Sequence, residues 1–98
     1  MNDPKLIFDK LESLVRLSKT AETEYEKAAL FGAISEIIHI IKVEDEEYNL
    51  NLWESIERLR YSSFAMLGYD IMGGHSYDQH FVWVIGSLNV IREKFAKK

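Results

Sequence analysis

The apolar residues in the first half of the chain recur with the spacing of an α-helix, and this pattern constrains the fold more than any other feature. The main stripe consists of Leu30, Ile34, Ile37 and Ile41. Neighbouring apolar residues widen the stripe to about half of the helix circumference, which predicts a helix that packs on two neighbours. The β-branched segment 37–41 is also compatible with a strand. Because the helical period extends well upstream of that segment, we predict a helix over residues 21–42.

Three further segments show the same period and carry helix-capping signals. The predicted helices span residues 4–18, 21–42, 51–67 and 77–96. Their predicted N-terminal caps are Asp3, Thr20, Asn51 and Ser76, and Gly68 is suited to end the third helix. Four helices joined by short connectors, in a chain of single-domain length, favour an all-α, four-helix antiparallel bundle.

The amino-acid composition of the chain argues against several classes of function. The 98-residue chain has no cysteine, so disulfides and thiolate chemistry are excluded. The net charge is −4, which argues against nonspecific binding to nucleic acid because phosphate contacts need a basic surface. The chain has no apolar run of membrane-spanning length and no signal-peptide pattern at its start. We therefore expect a cytoplasmic protein that binds neither nucleic acid nor membranes.

The histidines do not form a recognisable metal or catalytic motif. Glu36 and His39 have the spacing of one half of a di-iron site, but such a site needs a second pair and two more glutamates. His75, Asp78 and His80 could act as an acid/base cluster, yet the chain offers only ordinary serines as nucleophiles. We expect no metal, no cofactor and no enzymatic activity.

Acidic and aromatic residues concentrate in two places. Residues 1–49 hold eleven acids and six bases, whereas residues 50–98 hold five acids and six bases. In an antiparallel bundle the acidic run 44–47 would lie at one end, and the connector between the third and fourth helices at the other. Tyrosine is enriched at protein interfaces, so these clusters suggest a binding surface. The expected partner-binding residues are Glu44, Asp45, Glu46, Glu47, Tyr48, Tyr69, Asp70, His75, Tyr77, Asp78 and Trp83.

The fourth predicted helix has a second apolar face. Trp83, Gly86 and Val90 lie roughly opposite its core-facing residues. A tryptophan beside a glycine on such a face suggests a socket for a partner or a homodimer contact. A helix enclosed by the bundle on both sides would show the same pattern, and both interpretations stay open at this point.

The acidic run 44–47, the segment LGYDIMGGHSYDQHFVWVIGSLNVIREKF (residues 67–95) and the compact cysteine-free helical chain together resemble small bacterial immunity proteins of contact-dependent or polymorphic toxin systems. The resemblance implies inhibition by stoichiometric binding over or beside the active site of a toxin. A basic partner such as a nuclease would suit the acidic surface. The alternative hypothesis is a helical regulatory or adaptor subunit, or a homodimer that uses the face around Trp83.

Overall fold

A computed structural model describes residues 3–69 and 73–97, and this part of the chain folds into four α-helices. They are α1 (Pro4–Leu17), α2 (Glu24–Tyr48), α3 (Trp53–Met66) and α4 (Tyr77–Lys97). Each helix packs on the next, and α4 returns to pack on α1. The predicted all-α bundle is confirmed. None of the helices in these ranges has the length and apolar character needed to cross a membrane.

The core consists of one buried stripe from each helix and the residues next to α3. Its members are Phe8, Leu11, Val15, Ile34, Ile37, Ile38, Ile41, Leu52, Ile56, Leu59, Met66, Leu67, Val84, Leu88, Ile91 and Phe95. The stripe predicted for α2 is confirmed, although Leu30 is only partly buried. The segment 37–41 is helical, so its β-branched residues pack from a helix and not from a strand.

Three of the predicted helix ends are confirmed. The Asp3 carboxylate accepts a hydrogen bond from the Leu6 amide at the start of α1. The Ser76 hydroxyl accepts one from the backbone N–H of residue 79 at the start of α4, at 3.1 Å. Gly68 follows α3 with φ 95°, and the Tyr69 amide donates to the carbonyl of residue 64. This left-handed ending is the one for which glycine is favoured.

Both ends of α2 differ from the prediction of 21–42. Its N-terminal cap is Thr23, whose hydroxyl oxygen accepts a 3.0 Å hydrogen bond from the Glu26 amide. Thr20, the predicted cap, instead donates its hydroxyl hydrogen to a carbonyl in the last turn of α1. At the other end the helix continues to Tyr48. The acidic run 44–47 is therefore helical and does not form a connector.

The turn between α2 and α3 is organised by Asp45. Its buried carboxylate accepts a 3.0 Å hydrogen bond from the Leu52 amide, and its carbonyl accepts one from the Leu50 amide. Asn49 ends α2 in the left-handed conformation, with φ 53° and ψ 51°. One acidic residue thus fixes both the end of α2 and the entry into α3.

This arrangement replaces the capping role predicted for Asn51. That residue has φ 61°, whereas a helix N-cap normally has extended backbone. The N-cap of α3 is Leu52, which has no side-chain capping bond of its own. The Leu52 amide is satisfied from α2 by Asp45, so a contact from another helix substitutes for a local cap.

Candidate protein-binding surface

The acidic run is split between the core and the solvent. Glu44 and Asp45 are buried, whereas Glu46 and Glu47 are exposed. Successive helical residues are rotated by about 100°, so only part of a four-residue run can face outward. The expectation that all four acids form one exposed surface is wrong, because Glu44 and Asp45 are buried.

The connector between α1 and α2 and the connector between α3 and α4 lie at the same end of the bundle, as an antiparallel arrangement requires. The Tyr77 hydroxyl lies 3.2 Å from the Ser18 hydroxyl, which joins the end of α1 to the start of α4. On the other side of the molecule, the rings of Phe31 and Tyr69 meet edge to face at 5.3 Å between centroids. Asp70, which was also predicted to bind a partner, lies outside the described residues.

Tyr77 and Asp78 belong to a groove between α1 and α4. The groove has a volume of about 280 Å³ and is also lined by Arg16, Lys19 and Phe81. The Arg16 guanidinium lies 5.1 Å from the centre of the Phe81 ring. The carboxylate of Asp78 therefore lies in a groove with two cations, which offset its charge.

His75 and Trp83 lie on a different face, between α3 and α4. Their rings meet edge to face at 4.8 Å, and the buried ring of His80 lies 5.4 Å from Trp83. The His80 Nδ1 atom is 3.4 Å from the hydroxyl oxygen of Ser62, which is fully buried. Asp78 lies in the groove on the α1 side. The predicted cluster of His75, Asp78 and His80 is thus divided between two faces, and His80 packs α4 against α3.

The negative charge of the molecule is concentrated on α2. This helix has seven acids and two bases, a formal charge of −5, whereas the whole chain has −4. The rest of the chain therefore sums to +1. In residues 3–69 and 73–97, no group of three or more histidine, aspartate or glutamate side chains is arranged to hold a metal ion.

In the part of the chain that the structure describes, four acids outside α2 are paired with bases, and two of these, Asp9 and Glu12, link α1 to α4. Arg92 donates to Asp9 at 2.8 Å and to Glu12 at 2.9 Å. The pKa of Asp9 is lowered mainly by the hydrogen bond from Lys5, and Arg92 lowers it further. The hydrogen bond from Arg92 is the main cause that lowers the pKa of Glu12. These charges stabilise the contact between the helices and contribute little net field.

One exposed stripe runs along the whole of α2 and is called the α2 outer face below. Its residues are Tyr25, Ala28, Ala29, Gly32, Glu36, His39, Val43, Glu46 and Glu47, all of them exposed. Among the described residues, the exposed Glu36, Glu46 and Glu47 form no ion pair, and neither does Glu22 just before the helix. Their charge is available to a partner.

The N-terminal end of the α2 outer face adds aromatic groups to this charge. Tyr25 is 84% exposed and borders a groove of about 250 Å³ toward Leu17. On the side toward α3, the exposed ring of Phe31 stacks on Phe64 at 4.3 Å and meets Tyr69. Tyr25 lies between Glu24, which pairs with Lys27 at 3.7 Å, and Glu26, and the unpaired Glu22 lies just before the helix. Exposed acids beside an aromatic side chain are the composition expected of a surface for a basic protein.

Sequence reasoning missed Tyr25 and Phe31. Tyr25 lies between Glu24 and Glu26, and this alternation of acid and aromatic residue was the available signal. Phe31 borders the apolar stripe of α2, so it was assigned to the core. Its exposure depends on where α3 packs, and the helical period does not specify that.

No protein-family model, curated protein or solved structure matches this chain. A function therefore has to be inferred from the surface chemistry. The feature that distinguishes this molecule is the excess of acid on α2, combined with exposed aromatic side chains on the same helix: Tyr25 and Phe31 in its first half and Tyr48 at its end.

Proposed function

We propose that this chain is an immunity-type inhibitor that binds and neutralises a basic bacterial toxin, most simply a nuclease. The observation that carries the proposal is the charge of −5 on α2 in a chain of net charge −4. The resemblance in size, acidity and helical character to small immunity proteins supports the same class.

The mechanism is occlusion of the toxin's active-site region in the cytoplasm, without turnover. Carboxylates at the Glu22–Glu26 end of α2 take the positions of substrate phosphates and pair with lysines and arginines of the nuclease groove. The field of α2 accelerates encounter with a basic partner. Tyr25 supplies the anchor that fills a pocket. A complex of this kind buries about 1,600 Å² in total.

The proposed contact lies at the Glu22–Glu26 end of α2 and not at the end that contains residues 44–47. Glu44 and Asp45 are buried, and Asp45 binds the turn into α3, so only part of that run can meet a partner. At the N-terminal end, the three acids Glu22, Glu24 and Glu26 are all exposed on either side of Tyr25 in the chain, and Tyr25 borders an apolar groove toward Leu17. This end offers both charge and apolar contact area.

Co-expression with the products of the two flanking reading frames tests the function. We expect one product to stop growth when expressed alone, to be tolerated with this chain, and to form a 1:1 complex whose affinity falls as salt increases. If neither product is toxic or binds, the immunity function is wrong. Catalytic turnover by the purified chain would also overturn it.

Two matched charge variants locate the contact. Glu22→Gln/Glu24→Gln removes two exposed carboxylates at the start of α2, and Glu46→Gln/Glu47→Gln removes two exposed carboxylates at its end. We expect the first pair to weaken toxin binding by about 30-fold, roughly 2 kcal/mol, and the second by less than about threefold. Isothermal titration calorimetry measures both. If neither pair changes the affinity, phosphate mimicry is excluded.

A further inference from the structure

The outward side of α4 lacks the charge that the other exposed helix faces carry. Residues 79–91 contain no aspartate, glutamate, lysine or arginine. Within this segment Val82 is 62% exposed and Val90 is 47% exposed. The α4 outer face is defined here as Val82, Trp83, Gly86, Asn89 and Val90. Since both valines are exposed, α4 is not enclosed by its own bundle on this side.

Gly86 lies at the centre of this face, and no contact within the described chain requires a glycine at this position. A mid-helix glycine costs about 0.5–1 kcal/mol relative to alanine. A Cβ atom built at Gly86 would meet no atom within 4 Å, so packing inside the chain does not require its absence. The glycine instead leaves a shallow groove of about 230 Å³ between Trp83, Val90 and Arg58 of α3. A second helix could approach closely there.

Arg58 of α3 lies at the rim of the groove. Glu54, one turn before it on α3, has the opposite charge, and both residues are exposed. Within the described part of the chain neither forms an ion pair. A two-fold axis brings the same patch of two copies face to face. Glu54 of one copy can then meet Arg58 of the other, twice, so the rim is self-complementary.

We propose that the α4 outer face binds a second copy of this chain, with α4 packed on α4 across Gly86. The uncharged face allows two identical surfaces to meet without like-charge repulsion. Because α2 and α4 are diagonal in the bundle, this pairing keeps the two acidic α2 outer faces on opposite sides of the dimer. The proposal is independent of the proposed function, since each α2 outer face stays accessible to a partner.

Multi-angle light scattering of the purified chain, across a concentration series, tests the dimer. We expect a dimer at about 100 μM, and a monomer with unchanged helical circular dichroism for Gly86→Lys. The matched control is Gly32→Lys on the α2 outer face, which is also an exposed helical glycine with open space around its Cβ position. This control should stay dimeric. A monomeric wild type, a dimeric Gly86→Lys or a monomeric Gly32→Lys would overturn the proposal.

A charge swap tests the two-fold geometry. Glu54→Arg and Arg58→Glu should each weaken the dimer by about tenfold, because each leaves like charges opposed across the axis. The double variant Glu54→Arg/Arg58→Glu should restore wild-type association. If the double variant stays as weak as the single variants, the reciprocal pairing is wrong. Gly86→Lys should still bind the toxin, so failure of the dimer can be distinguished from failure of the proposed function.

Discussion

A buried acid can have a structural role that the charge pattern of the sequence does not reveal. Asp45 belongs to an acidic run, yet it accepts the Leu52 amide and fixes the turn between two helices. We expect Asp45→Ala to lower the free energy of unfolding by about 1–3 kcal/mol, because it leaves a buried donor without its partner. Urea unfolding measures this at one fixed protein concentration. The control Glu46→Ala should change it by less than about 0.5 kcal/mol; equal losses would contradict the assigned role.

The ion pairs between α1 and α4 predict a pH dependence. Arg92 lowers the pKa of Glu12 in the folded state. A lowered folded pKa stabilises the protein fully above the ordinary glutamate value of about 4.3 and loses this contribution as pH falls through the folded value. We expect the unfolding free energy of the wild type to fall more steeply below about pH 4.3 than that of Glu12→Gln. Denaturant titrations at several pH values measure the difference.

Glu36→Gln provides the control for that comparison. Glu36 is exposed and has no ion pair among the described residues. Its removal should leave the acid-side slope of stability at the wild-type value. A variant Glu12→Gln with the full wild-type slope would show that the pairing with Arg92 does not stabilise the fold.

At the scale of the element, two threonines near the start of α2 have different roles. Thr23 caps the helix, whereas Thr20 belongs to the end of α1. We expect Thr23→Ala to cost about 1 kcal/mol, since it removes the acceptor for the Glu26 amide. Thr20→Ala should cost only a few tenths. Thermal unfolding followed by circular dichroism compares them, and a larger loss at Thr20 would contradict the observed helix start.

The end of a helix could be predicted from the sequence where residues close to it in the chain determine it. Asp3, Gly68 and Ser76 act through hydrogen bonds to residues within a few positions, and the fixed φ of Pro4 suits the first helical position, so sequence patterns identify them. The end of α2 was not predictable in this way. Asp45 is positioned by its bond to Leu52 in the next element, and a local pattern of charge gives no sign of that bond.

At the scale of the whole molecule, the first and last helices close the bundle. The ring of Phe95 meets Phe8 edge to face at 5.2 Å, and both are buried. We expect Phe95→Ala to lower the unfolding free energy by about 3–5 kcal/mol, with a single transition seen alike by circular dichroism and tryptophan fluorescence. Lys97→Ala, an exposed neighbour, should have little effect. Separate transitions for the two signals would contradict a single cooperative core.

The sequence indicated the residue types of the candidate site, acids and aromatic residues, but not its position on the molecule. An acidic surface with tyrosines was expected, and exposed acids with aromatic rings are present on α2. The expected residues themselves are dispersed. Tyr69, Asp78 and His75 lie on three different faces of the same end. Tyr69 follows α3, His75 precedes α4 and Asp78 lies in the first turn of α4, so their positions depend on how the two helices and the connector are placed.

The sequence by itself determined the class of fold, because apolar period and helix caps depend on interactions within a few residues. Only the tertiary structure decided which acids are exposed, which helix has the unbalanced charge and which apolar residues lack a neighbour. Those properties depend on helix rotation and on contacts between residues far apart in the chain. The packing of the other helices leaves some acids of α2 and two valines of α4 exposed, and this exposure makes them candidate surfaces.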